Sequence, residues 1–440
     1  MTKINNMRGV GQDADRSPLA TERQYEMEAT AGAILKTPEM QKAMAAARQL
    51  LLGLSWAKSE TAQQTLDEVV SECAGYALLS AASTDFENPG LVWIQTPQKE
   101  WMGHSVTGSR FCFDNPDNIY RYLFIDDAST YVLESKPTGP TGRFSVAIYV
   151  ALTGAEVKSW ADWERTVDAA DEGRIIIDDM GASRITIGPE DLKDGSLHLK
   201  SKGGVFVIVR EALSDWHTQR PRAMSFRKVA GPPSHAHSFD DRVAIAARYM
   251  MFGARTIAQF EQLYASIPVN DFGPAMMRGH ATKPSMITQG RYQLADDEAL
   301  VVNLLPQEAE YMSFSVTSPW LISRNSHSKS GSRTGHQSHR NGDGTYTYVV
   351  SHQDPGVANW MDSDGLREGC MAMRWEGMHA PVADPKDAIQ SVKLVKLSAI
   401  RSELPVDFPS VGPAERSAEL AGRRLDYGSR CGVDCTFAGD

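Results

Sequence analysis

His352 follows the apolar run Thr345 to Val350, and Asp354 stands two positions on, ahead of Pro355-Gly356. On an extended backbone, residues two apart face the same side, so this carboxylate is placed to orient the imidazole as a general acid–base pair. Asn359, Trp360 and Asp362 come next, supplying an amide, an aromatic wall and a second carboxylate. A structural reading competes with this one: Asp354-Pro-Gly as a turn whose aspartate binds its own backbone, Asn359 satisfying loop carbonyls, and Trp360 plugging the end of a sandwich. Just upstream, no carboxylate occurs between Glu310 and Asp343, whereas Arg324, His327, Lys329, Arg333, His336, His339 and Arg340 all fall there. Such a positive field within an acidic chain suits the steering and holding of a carboxylate, sulfate or phenolate, with Arg324 and His327 or His336 as the anion-binding candidates. The alternative is a solvated excursion between strands, rich in Ser and Gly.

Two histidine groups have the residue types of a metal site. His336, His339 and His352 form one set, and His235 and His237 with Asp240 and Asp241 form the other, each able to offer three N/O ligands to zinc or iron. Neither matches an established metal motif, and His235 and His237 sit in a Pro-Gly linker before a helix cap, so no cofactor is expected. In the first half of the chain, Asp114-Asn115-Pro116-Asp117-Asn118 precedes Tyr120-Arg121. Pro116 restricts Asn115 to extended geometry, and Asx side chains lock such corners through backbone hydrogen bonds. The functional alternative places Asp117, Tyr120 and Arg121 at a mouth between domains, with Tyr120 donating to a substrate oxygen. The chain contains no G-x-G-x-x-G after a strand, Walker loop, G-x-S-x-G elbow, H-E-x-x-H or paired C-x-x-C, which disfavours dinucleotide oxidoreductases, P-loop enzymes and serine hydrolases.

These residues need a scaffold, and the hydrophobic periodicity indicates one. From Pro18 to Ala82 apolar residues recur at helical spacing, as in Met40, Met44, Ala47 and Leu51, with Thr61 and Ser59-Glu60 as cap candidates. After Asn88-Pro89-Gly90 the period becomes that of strands: Leu91 to Ile94, Tyr120 to Ile125, Thr130 to Leu133, Phe144 to Ala151, Arg174 to Ile177, Arg184 to Ile187, Leu197 to Lys200 and Val205 to Val209. One short helix, Val157 to Ala170, interrupts them. Ser238-Phe-Asp-Asp241 is a capping-box pattern ahead of a long helix through Ala265. Further strands are read at Ala299 to Leu305, Tyr311 to Val316, Thr345 to Val350 and Cys370 to Trp375, and a last helix at Pro413 to Leu425, whose Arg423 and Arg424 favour its dipole.

The expected organisation is a disordered tail (1–15), a helical segment (16–88), a first β-sandwich domain (89–232), a bridging helix and linker (233–285), a second, jelly-roll-like domain (286–400) and a C-terminal helical arm (401–440). The fold class is therefore mainly β with flanking helices, built on two antiparallel β-sandwich or jelly-roll-like domains. The two β-units also echo one another. Asp194-Gly195-Ser196 opens a strand before Asp215-Trp216, as Asp343-Gly344-Thr345 opens one before Asn359-Trp360.

At 440 residues, with 42% apolar residues, 9 Trp and 13 Tyr, the chain has material for two interiors. Its net charge of −10 argues against nucleic acid and anionic membrane as partners. No signal peptide or run of roughly 18 apolar residues is present, and the five scattered Cys suit reduced thiols, so a cytoplasmic location is expected. Apolar helical faces at either end could support a homodimer.

Several stretches resemble the bacterial domain-of-unknown-function family numbered twelve-fourteen: Asp114 through Arg121, Asp194-Gly195-Ser196, Val209-Arg210, Asp215-Trp216 with Pro221, and Asp343-Gly344-Thr345 through Asp354-Pro355-Gly356, Asn359-Trp360-Met361-Asp362 and Gly365, over roughly residues 110 to 378. The resemblance implies a two-domain β protein with a jelly-roll-like C-terminal domain and brings no agreed activity. From the residues themselves, the expectation is a small-molecule catabolic enzyme, a lyase or hydrolase. Its substrate would have an apolar or aromatic body and an anionic or hydroxylated end. His352, Asp354 and Tyr120 would be catalytic, and Arg324, His327, His336, Asn359, Trp360, Asp362 and Arg121 would bind. A non-catalytic module binding carbohydrate or another small ligand, and a metal-dependent jelly-roll enzyme, are the alternatives.

Overall fold

The computed structural model describes residues 17–150, 166–234, 237–278, 282–379, 385–432 and 435–438. The N-terminal segment forms α1 (Glu22–Leu35), α2 (Pro38–Leu52), α3 (Glu60–Gln64) and α4 (Leu66–Ala82). Thr21, Thr37 and Ser59 cap the first three, each side chain accepting from a backbone N–H of the first turn. Thr61 lies inside α3 rather than capping it. The long α5 (Phe239–Tyr264) opens with the capping box its sequence encodes, Ser238 and Asp241 exchanging hydrogen bonds, and packs on α2 and α4. Near the C-terminus α6 spans Pro413–Gly428.

The first β-unit comprises β1 (Val92–Ile94), the small hairpin β2 (Lys99–Trp101) and β3 (His104–Val106), then β4 (Asn118–Phe124), β5 (Thr130–Lys136), β6 (Arg143–Tyr149), β7 (Thr166–Asp171), β8 (Ser183–Gly188), β9 (Leu197–Lys200), β10 (Phe206–Ala212) and β11 (Ala223–Ala230). The second comprises β12 (Asp271–Phe272), β13 (Met276–Arg278), β14 (Ser285–Gln293), β15 (Glu298–Leu304), β16 (Ala309–Thr317), β17 (Ser332–Thr334), β18 (Tyr346–Ser351), β19 (Trp360–Asp362), β20 (Glu368–Met378) and β21 (Ile389–Lys396). A final strand, β22 (Thr436–Phe437), returns to β2.

The two units share one topology. In the first, sheets of order β1-β4-β10-β6-β7 and β11-β5-β8-β9 form; in the second, β12-β14-β20-β16-β17 and β21-β15-β18-β19 repeat the pattern strand for strand, with β13 added beside β14. Even the parallel pairs coincide, β8 with β9 and β18 with β19. The repeat visible in the sequence is thus present in the fold, but the Asp-Gly echo matches the wrong strands. Asp194-Gly195 leads into β9, whereas Asp343-Gly344 leads into β18, the counterpart of β8. Asp-Gly is generic turn chemistry, so it marks a turn without saying which one.

Each sandwich buries one face of its large sheet. Leu123, Val146, Ile148, Val207 and Val209 meet Leu133, Ile185 and Ile187 in the first, and Met286, Phe314, Met371, Met373 and Trp375 meet Leu300, Val302, Tyr348 and Val350 in the second. In the first unit, Tyr122, Phe124, Phe206 and Ile208 on the other face are covered by the helices. Four expectations change. Residues 166–170 belong to β7, paired to β6, while the rest of the expected helix, like the tail 1–15, lies outside the described residues. Arg174 to Ile177 is a turn ending in a single bridge, Ile177 to Ser183, because Arg174 folds back on Asp168 and the Ala169 carbonyl. Residues 271–278 of the expected linker add strands β12 and β13 to the second large sheet. The C-terminal arm turns Arg423 inward, donating to the Ser326 carbonyl and Ser332, rather than to its own helix end. No helix among the described residues is long and apolar enough to cross a membrane.

Candidate functional site

Alternation along the large sheets sends a second set of side chains away from each sandwich core. In the first unit the registers set Arg210 between Tyr120 of β4 and Ser145 of β6, with Ile208 beside Tyr122 and Phe206 beside Tyr149. In the second, Arg374 of β20 lies between Ile287 and Ser313, and Glu376 between Ser285 and Tyr311. When the midpoints of β10 and β20 are aligned, Arg210 falls on Arg374, so each unit contributes an arginine from the same place on an interior strand. Both sets line one cavity of about 390 Å³ between the units. Its apolar walls are Tyr76, Phe111, Tyr122, Phe206, Ile208 and Phe260, and its polar groups include Asn118, Tyr120, Tyr149, Arg210, Arg374 and Glu376.

The two arginines are held differently. Arg374 donates 2.7 Å to the Phe113 carbonyl and 3.1 Å to Ser315, so much of its fork is engaged by the protein. The loop that presents that carbonyl is strained: Cys112 and Phe113 both have left-handed backbones (φ 44° and 60°), and the Phe113 N–H is fixed to Leu321 of the other unit. Arg210 instead donates 3.2 Å to the Tyr149 hydroxyl and lies over the Tyr120 ring, with no carboxylate partner among the described residues. Because a guanidinium only donates, Tyr149 must accept here, leaving its own proton for a ligand. Asn118 likewise donates 3.0 Å to the Tyr120 oxygen. Burial pushes the Tyr120 hydroxyl above its ordinary value, against the pull of Arg210 and Arg374, so it stays protonated near neutral pH. Burial also pushes the Cys112 thiol up, which keeps it from acting as a thiolate. At the rim Arg143 reaches Asp171, Glu172 and, in the other unit, Glu310, and the Lys283 N–H donates 2.8 Å to Asp171, tying the units together across the opening, while the Lys283 ammonium pairs with Glu310 at 2.5 Å.

Of the sequence candidates, Tyr120 alone lines this cavity. His352 and Asp354 do not pair. The strand ends at Ser351 and the chain bends, so period-two alternation no longer applies. His352 Nε2 lies 3.3 Å from Asp296, while Asp354 caps its own turn through the Gly356 N–H and binds Arg416 at 3.0 Å. Asn359 spans the His339 and Thr347 carbonyls, and buried Trp360 donates to the Ser351 carbonyl. The carboxylate-free segment is neutralised from elsewhere: Arg324 by Glu68 and Asp364, Arg333 by Glu419, Lys329 by Asp362 and His336 by Asp215. It is also largely buried rather than a solvated excursion, His327 lying among Tyr427 and Phe437. Arg121 and Asp117 are core residues, bound to Glu211 and to Tyr311. The set His336, His339 and His352 is not assembled, His339 resting against Phe408, and no cluster of three His, Cys, Asp or Glu able to hold a metal occurs among the described residues. His235 lies outside them, and His237 packs on Phe86.

Asp362 carries a pH signature of its own. Burial pushes its carboxyl up to about 6, against the Asp364 N–H and Lys329. The folded value exceeds the unfolded one, so the native state holds the extra proton between roughly pH 4 and 6, and stability falls as pH rises through that window. Asp362→Asn is expected to remove this fall and to raise stability above pH 6 by about 1–3 kcal/mol, read from urea midpoints at pH 5 and 7.5.

Tyr122, Tyr149, Arg210, Arg374 and Glu376 escaped the sequence reading. Their signal is a cation inside an otherwise apolar strand, twice: Val207-Ile-Val-Arg210 and Met371-Ala-Met-Arg374.

No family model and no curated protein matches the chain. Among solved structures it is similar to an uncharacterised protein from Burkholderia cenocepacia, at 18% identity and a TM-score of 0.65, over 84% of this chain and 99% of that one. A weaker likeness, at 12% identity and a TM-score of 0.38, joins it to the VPA0106 protein from Vibrio parahaemolyticus over 64% of this chain and 90% of that one. The Burkholderia likeness is one of fold.

Proposed function

We propose that the chain takes up a small organic anion with an aromatic or apolar body in the cavity between its β-units, and acts on it by acid–base chemistry as a lyase or hydrolase. The observation that carries this is Arg210, a guanidinium facing an aromatic cavity, bonded to a tyrosine hydroxyl and paired with no carboxylate among the described residues. A buried charge is costly unless compensated, and an anionic ligand supplies the compensation. Tyr149 and Tyr120 would donate to the same anion, and Tyr120, protonated at neutral pH, would be the proton donor. At ~30 Å³ for each water-sized group, the space suits a ligand of roughly a dozen or more non-hydrogen atoms. The acid–base pair His352 and Asp354 has no part in this reading. The aromatic walls also suit a carrier that releases its ligand unchanged, and turnover separates the two.

Titration calorimetry with phenylacetate and its neutral isostere phenylacetamide tests the reading. The carboxylate is expected to bind at least about tenfold more tightly, as charge-assisted hydrogen bonds imply. Equal affinity for the two, or no binding of either, would sink it. In any compound found to be turned over, Tyr120→Phe is expected to lower kcat about 10²-fold or more, and to raise KM by less, about 3- to 10-fold, through the lost hydrogen bond to the anion.

A further inference from the structure

The cavity holds a second unanswered charge, of opposite sign. Glu376 lies two residues beyond Arg374 on the same face of β20, half-buried, and lines the same space as Arg210. It makes no hydrogen bond or ion pair among the described residues. Neither cavity arginine on its side bonds it: Arg374 gives its N–H groups to the Phe113 carbonyl and Ser315, and Arg143 is paired with Asp171, Glu172 and Glu310. Its across-strand neighbours, Ser285 and Tyr311, do not neutralise it, and the Tyr311 hydroxyl is given to Asp117.

Resting on the reading above, we infer that the cavity recognises a two-ended ligand: an anionic group at Arg210, Tyr120 and Tyr149, and a hydrogen-bond donor, either hydroxyl or protonated amine, at Glu376. The two units divide the work, the anion going to the first and the donor to the second. Arg210 and Glu376 both act on the Tyr120 hydroxyl, in opposite directions, which is consistent with both ends lying within electrostatic range of one another. A carboxylate with no donor at its far end would leave Glu376 desolvated and unpaired, so the site should discriminate against it as well as favour the matched compound.

Three probes test this in the 440-residue chain: phenylacetate, 4-hydroxyphenylacetate and 4-(aminomethyl)phenylacetate. The two donor-bearing acids are expected to bind about tenfold or more tightly than phenylacetate, with the ammonium probe ahead if charge decides and the phenol ahead if size does. Glu376→Gln should shrink that advantage to about twofold while leaving phenylacetate binding intact or improved. If phenylacetate binds through Arg210 but the donor groups bring no gain, or Glu376→Gln leaves the gain unchanged, the inference fails and the anion site stands. If none of the three probes binds, or if binding survives Arg210→Met unchanged, both fall. Circular dichroism and thermal melts of the variants separate a lost site from a lost fold.

Discussion

Glu211→Ala is expected to destabilise the protein by about 3–5 kcal/mol, because it leaves the Arg121 guanidinium buried without its carboxylate. Arg121 is 3% exposed and Glu211 not exposed at all. The pair is also built into its surroundings: Arg121 donates 2.7 Å to the Arg222 carbonyl, and Glu211 accepts at 2.7 Å from the Arg222 N–H. Removing one charge therefore costs the pair, a backbone hydrogen bond and the desolvation of the ion that remains. Replacing both, as Arg121→Met with Glu211→Leu, should recover most of the loss, since an apolar pair of similar volume carries no uncompensated charge. Urea denaturation of the single and double variants measures this. A loss under about 1 kcal/mol in Glu211→Ala would mean that water reaches Arg121, contrary to its burial in this fold. The comparison also separates roles on the two faces of one strand, β4, for Arg121 faces the sandwich interior whereas Tyr120, its chain neighbour, faces the cavity. Arg121 variants should impair ligand binding only as far as they impair folding.

That one-residue difference explains how much of the site could be read in the sequence. The strands themselves were legible, because runs rich in β-branched and aromatic residues such as Thr130 to Leu133, and the alternation Phe144-Ser-Val, fit strands rather than helices, and the capping box at Ser238 and Asp241 marks α5 without ambiguity. What alternation cannot say is whether the other face meets water or another layer. Arg210 and Glu376 therefore read as ordinary solvent-facing positions, and Tyr120 drew notice only through the corner at residues 114–118 beside it, although all three line a cavity closed by a second unit more than 150 residues away along the chain. The positive segment misled for the same reason in reverse. Its lack of local carboxylates is real, but Glu68, Asp215 and Glu419, each remote in sequence, supply the missing charge once the chain folds. His352 and Asp354 show a third limit, since the argument from period two holds only while the strand continues, and it stops at Ser351. The duplication lay between these cases. Two Asp-Gly turns suggested that the halves are related, yet they stand before strands that do not correspond, and only the ladder of strand pairings shows the repeat strand by strand.

Arg210→Met is expected to separate stability from function more sharply than any other change. Most variants of half-buried residues destabilise, through lost contacts or stranded polar groups. Here the wild-type residue is itself the stranded group: its partners are the Tyr149 hydroxyl and the face of Tyr120, and no carboxylate balances it among the described residues. Methionine keeps much of the side-chain length against Tyr122, Phe206 and Ile208 while removing the charge, so stability should be unchanged or higher by on the order of 1–2 kcal/mol. Phenylacetate binding, in contrast, should weaken by about 10- to 100-fold, the worth of a charge-assisted hydrogen bond or a bidentate pair lost from a low-dielectric site. Arg210→Lys should fall between the two, retaining charge without the planar fork. Thermal melts with and without the ligand test both halves at once: the variant should melt at or above the wild-type temperature alone and show little further rise when phenylacetate is added. A variant that melts well below wild type would place Arg210 in the framework of the fold, bonded to something it needs in the absence of ligand. One that keeps full ligand-induced stabilisation would take the anion away from β10 and leave Arg374 and the rim residue Arg143 as the other arginines lining the cavity among the described residues.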